Sequence, residues 1–149
     1  MNRPSVALSV ALSAGLLIGL AACSPTGSNV AALVAPEVAH GKALYDKHCA
    51  TCHGPGGKGD GPAAEGMARR PADLTRIAAR NGGSFPLAQV MSTIDGYNRK
   101  KPHGSSMPAW GAELAASPQV MVDTGDGVPV PTPSSLLAVA AYLRSIQGS

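Results

Sequence analysis

Two cysteines and a histidine in one short stretch, Cys49-Ala50-Thr51-Cys52-His53, constrain this chain more than anything else in it. The pattern C-x-x-C-H suits one covalent arrangement: two thiols add across the two vinyl groups of a porphyrin, and the adjacent imidazole binds its iron. The same C-x-x-C also occurs in redox dithiols, which need a βαβ pattern around the cysteines. Here Val38, Gly41, Leu44, Tyr45 and His48 lead into the motif at helical spacing instead. Of the three cysteines, Cys23 alone remains outside the motif, so no pair is left for a disulfide.

Composition points the same way. The 149 residues allow one modest domain. Phe85, Trp110 and three tyrosines are all the aromatic residues it has, too few to dominate a core, so a bound cofactor is expected to fill it. Gly 18 and Pro 13 promise many loops. A net charge of +3 with scattered Lys and Arg excludes a nucleic-acid footprint. There is no internal repeat.

The first segment reads as an address. Arg3 precedes an uncharged apolar run from Val6 to Leu20, which is followed by small Ala21 and Ala22 and stops at Cys23-Ser24-Pro25. The run is shorter than the roughly 18 residues a spanning helix needs, so an export signal is favoured over a retained span. Leu20-Ala21-Ala22-Cys23 resembles the lipobox of bacterial lipoproteins, in which cleavage precedes a cysteine that carries lipid. The expected division is a signal at 1–22, lipidated Cys23 with a flexible tether over 23–36, and a globular domain over 37–149. Ser24 after the cysteine suggests, by analogy, outer-membrane sorting. An ordinary exported protein with a leftover thiol is the alternative.

Gly41-x-x-x-Tyr45-x-x-x-Cys49-x-x-Cys52-His53-Gly54, a later Met107-Pro108 and a terminal helix over Leu136 to Ile146 resemble a class I cytochrome c in its bacterial monohaem form. The resemblance covers Glu37 to Gln147. The stretch Gly59-Asp60-Gly61-Pro62-Ala63-Ala64 and the later Arg70-Pro71-Ala72-Asp73-Leu74 look like the small carriers and complex subunits of that group. It implies one haem c on Cys49 and Cys52, with His53 as axial iron ligand and Tyr45 and Trp110 packing near the ring. It also implies a close crossing of the first and last helices at Gly41, with Tyr45 and Tyr142 over it. A proline carbonyl is expected to accept the second N–H of His53, with Pro62 favoured over Pro71.

The other axial ligand must come from Met67, Met91, Met107, Met121, His40, His48 or His103. Met107 is favoured, because Gly104-Ser105-Ser106-Met107-Pro108 is a loop able to approach a ring edge. His103 is the rival. Met91 belongs to a core stripe with Leu87, Val90 and Ile94. Met67 and Met121 lack the Gly-loop-Pro setting, and His40 and His48 are expected to be solvated or packed locally. Arg99-Lys100-Lys101 is either a basic docking patch or a solvated face.

The fold class expected is all-α with long loops. Helices are read at Val38 to Cys49, Leu74 to Arg80, Pro86 to Asp95, after Pro108, and Leu136 to Ile146 capped by Ser134 or Ser135. Val120, Val122, Val128 and Val130 alternate around Asp126-Gly127, so a small hairpin is expected near 119–131, with a prolyl loop over 119–133 as the equal alternative. Two filled axial positions leave no site for substrate, which points to single-electron transfer between redox protein donors and acceptors, with no small-molecule substrate. The protein is expected to be membrane-anchored and periplasm-facing, not an enzyme, and either free-standing or a complex subunit. A haem peroxidase or gas-binding sensor is the alternative, should the second axial position be labile.

Overall fold

The computed structural model describes residues 28–97 and 107–148, with 28–36 by backbone alone. The elements run α1 (Ser28–His48), α2 (Ala50–His53), α3 (Ile77–Arg80), α4 (Leu87–Asp95), α5 (Gly111–Leu114), β1 (Gln119–Val122), β2 (Val130–Pro133) and α6 (Ser134–Ser145). Two 3₁₀ turns, Pro62–Gly66 and Leu74–Arg76, punctuate the long loop between α2 and α3. The backbone is helical from Ser28, ten residues before the expected start, so 28–36 continues α1 where a flexible tether was expected. Cys23 and the signal over 1–22 lie outside the described residues. Among those described, no helix is long and apolar enough to cross a membrane.

The frame is the crossing of α1 on α6. A Cβ on Gly41 would collide with the Ala138 carbonyl oxygen and stand 3.0 Å from the Tyr142 Cβ, so only glycine lets the backbones approach this closely. Tyr45, one turn further along α1, is fully buried, with its ring centroid 5.1 Å from that of Tyr142 at an interplanar angle of 52°. Val139, Ala140, Tyr142 and Leu143 of α6 join Val90, Met91 and Ile94 of α4 in the core. Gly41→Ala is expected to cost about 3 kcal/mol, the upper end for overpacking, because the group struck is backbone. Thermal unfolding measures it.

The apolar stripe of α4 behaves as its 3.6-residue spacing predicts: Val90, Met91 and Ile94 are buried. Gly96 ends the helix in the left-handed region at φ 97°, its N–H bonded to the Ser92 carbonyl.

The expected hairpin forms. β1 and β2 are antiparallel, pairing Gln119 with Pro133 and Val122 with Val130, so Val128 falls in the connecting loop and not in a strand. Asp123 organises that loop by accepting the N–H groups of Gly125 and Gly127, which hold its carboxyl below the usual carboxylate range. The hairpin feeds directly into α6. Neither Ser134 nor Ser135 caps that helix; the Ser117 hydroxyl oxygen accepts the Ser135 N–H at 3.0 Å, and the Pro118 carbonyl accepts the Ser134 N–H at 2.8 Å. The cap therefore comes from 18 residues upstream, the far side of the hairpin.

Candidate functional site

α1 delivers the cysteine motif to the centre of the fold. The Cys49 N–H bonds to the Tyr45 carbonyl at 2.8 Å, and the Cys49 carbonyl accepts the N–H groups of Cys52 at 3.1 Å and His53 at 2.9 Å, winding 50–53 into a single turn. The Cys49 and Cys52 thiols, unpaired with each other, both face one cavity. Burial, reinforced by Cys52, pushes the Cys49 thiol up to about 11. The Tyr45 hydroxyl donates to the Gly54 carbonyl at 2.6 Å, and burial pushes its pKa up, keeping it the protonated donor this bond needs. Tyr45 thus fastens the end of the motif to α1.

The His53 imidazole is held from behind. Its Nδ1 lies 3.0 Å from the carbonyl oxygen of Ala72, a bond in which the ring N–H donates. The acceptor is therefore neither Pro62 nor Pro71. Pro62 is exposed and starts a 3₁₀ turn, and the carbonyl of Pro71 is turned toward Gly59, where a Cβ would strike it. Gly59 meets that approach with φ 75°. The Gly59 carbonyl accepts from Arg70 Nε at 3.0 Å, and the Gly57 carbonyl accepts the Leu74 N–H at 2.6 Å. These bonds fasten the 54–61 loop to 70–74 and set the carbonyl beside the imidazole.

The cavity measures about 530 Å³, within the range of small-molecule and cofactor pockets. Cys49, Cys52 and His53 line it together with Val90 and Ile94 of α4, Val139 and Leu143 of α6, and Met107, Pro108 and Trp110. Its charged lining among the described residues consists of Arg69, Arg70 and Arg80, with no carboxylate. Arg80 is steadied by donating to the Asp73 carbonyl at 2.8 Å. An apolar slot with two thiols, an imidazole and guanidinium groups matches a flat apolar ring that carries carboxylates, so the residues present fit haem.

The other candidates separate cleanly. Met91 is buried in the core, Met121 is 65% exposed on the hairpin, and His40 is exposed beside the Ser135 hydroxyl. His48 packs locally, its ring 4.7 Å from that of Trp110 and its Nε2 3.5 Å from Glu113 Oε1. Met67 does line the cavity, contrary to its weak sequence setting. His103 and Arg99-Lys100-Lys101 lie outside the described residues.

The sequence pattern of one known family, cytochrome c, matches residues 38–147. The chain belongs to the cytochrome c family. No curated protein and no solved structure gives a match. The family binds covalently attached haem c and serves electron transfer, so membership points to an electron carrier. Ala72, Arg70 and Arg80 were not legible as site residues. The one signal for the arginines was the clustering of Arg69, Arg70, Arg76 and Arg80 in the segment that follows the motif.

Proposed function

We propose that this cytochrome c is a class I, monohaem electron carrier, exported and anchored by lipid on Cys23. It would pass single electrons between periplasmic or membrane-bound redox proteins, alone or as a complex subunit. The observation that carries the reading is the convergence of Cys49, Cys52, His53 and Met107 on one apolar cavity. Haem c, when bound, supplies a one-electron couple at its iron.

The chain's own residues do the rest. Cys49 and Cys52 would hold the ring by thioether bonds, and His53 and Met107 would take the two axial positions. The Ala72 carbonyl keeps the proton of His53 on Nδ1, leaving Nε2 free of hydrogen for the metal. Met67 and Met107 both line the cavity, and the Met107-Pro108 loop setting favours Met107 as the second ligand. Val90, Ile94, Val139, Leu143 and Trp110 would shield the ring from water, and Arg70 and Arg80 would offer charge to its carboxylates.

Denaturing electrophoresis should show haem stain on the polypeptide at one haem per chain. The ferrous protein should not bind carbon monoxide. Ready binding would replace the carrier reading with a peroxidase or gas-binding one. Cys23→Ser is expected to release the protein from membranes into the soluble exported fraction. Retention after a salt wash would indicate an uncleaved hydrophobic span instead.

A further inference from the structure

Gln147, just past the end of α6, makes three side-chain hydrogen bonds that a simple helix end does not require. Its Nε2 donates to the Leu74 carbonyl at 2.8 Å and to the Leu143 carbonyl at 2.6 Å, and its Oε1 accepts the Ala78 N–H at 2.9 Å. Its neighbour Gly148 donates its N–H to the Thr75 carbonyl at 2.9 Å. The terminal helix is thereby tied at three points to 74–78.

That segment begins two residues beyond the carbonyl that holds His53. Leu74 is anchored on its other face too, through its N–H to the Gly57 carbonyl, and Asp73 accepts the Thr75 N–H at 2.9 Å. A closed circuit of contacts results. It runs from α1 through Cys49 to His53, from the imidazole to Ala72, along the chain to Leu74, across Gln147 to α6, and back to α1 at the Gly41 crossing. The position of the Ala72 carbonyl is thus referred to the same pair of helices that carries the cysteine motif.

We propose that Gln147 is a positioning residue for His53: by holding 74–78 against α6 it sets the strength of the bond from His53 Nδ1 to Ala72, and through it the reduction potential. The proposal rests on His53 being an axial ligand. A firm bond from Nδ1–H to a carbonyl makes the imidazole a more basic ligand, which favours ferric iron and lowers the potential. Loosening the clasp therefore raises the potential. Simple opening of the pocket to water does the opposite, because solvent stabilises the more highly charged oxidised site. The sign of the shift separates positioning from generic destabilisation.

The test compares holo Gln147→Met, nearly equal in volume but without the hydrogen bonds, with Leu136→Ala, a buried position on α6 that does not line the cavity. Gln147→Met is expected to shift the redox equilibrium about threefold toward the ferrous form, near 28 mV at 59 mV per decade. Exchange of the His53 Nδ1 proton, followed by NMR, should quicken at least about tenfold. Leu136→Ala should lower Tm and leave both readings at wild-type values. An unchanged or lowered potential in Gln147→Met, or the same upward shift in Leu136→Ala, overturns the proposal while leaving the haem assignment standing. A wild-type protein whose Nδ1 proton is absent, or whose His53→Ala variant keeps the wild-type axial spectrum, overturns both.

Discussion

Met107→Ala is expected to open the axial position opposite His53. The variant should lose the Met-to-ferric-iron charge-transfer absorption and bind carbon monoxide in the ferrous state. Its potential should fall on the order of 0.1–0.3 V within the roughly 0.8 V that axial ligands command. A thioether is a soft ligand that stabilises ferrous over ferric iron, so its loss acts in one direction. The half-buried Met107 lines the cavity just ahead of Pro108 and Trp110, whereas His103 lies outside the described residues. With Met107 as the ligand, His103→Ala should keep all three wild-type properties. The reverse pattern would make this a bis-His carrier of lower potential. A Met67→Ala variant should behave as wild type in ligation, despite lining the same cavity.

The contrast between Met107 and Met67 shows what a linear reading can reach. Periodicity suffices where one element decides its own environment: the buried face of α4, the left-handed cap at Gly96 and the alternation of Val120 and Val122 all follow from local rules. The motif was equally readable, because its chemistry is confined to five consecutive residues. Gly41, Tyr45 and Tyr142 were legible as a crossing through resemblance, and their contacts bear it out.

Features that depend on how distant loops meet were not legible. Whether Pro62, Pro71 or Ala72 offers its carbonyl to His53 turns on one peptide orientation, in which the Pro71 carbonyl faces Gly59 and the Ala72 carbonyl faces the imidazole. Ser117 displaced the two local serines as the cap of α6 because the hairpin brings it there, a tertiary contact with no local signature. Gln147 likewise pairs with residues 69 and 73 positions away. The length of α1 differed for another reason: Ala and Val over 28–36 lack an apolar face, yet nothing but Pro36 opposes a helix there.

The cavity also makes the cofactor part of the core, and this gives the largest effect of all. Tyr45 is the largest fully buried side chain among the described residues, so the ring would be the bulkiest group in the core. The cost of unfilled core space is about 24 cal/mol per Å³, which over a cavity of about 530 Å³ amounts to about 13 kcal/mol. The pocket opens to water along part of its rim, so the cost is smaller; half of it, about 6 kcal/mol, is already comparable with the roughly 5–15 kcal/mol that holds a domain of this size together. Replacing Cys49 and Cys52 together by alanine is therefore expected to do more than free the haem on a denaturing gel. With no thioether bond to retain the ring, the haem-free chain should lose its cooperative thermal transition and the fixed near-ultraviolet signal of Trp110, while α1 and α6 keep part of their helical content. Far- and near-ultraviolet circular dichroism of the purified double variant tests this directly. A haem-free chain that melts cooperatively at the wild-type temperature would mean that α1, α4 and α6 close on one another without the ring, and that the cofactor is a guest in this fold rather than a wall of it.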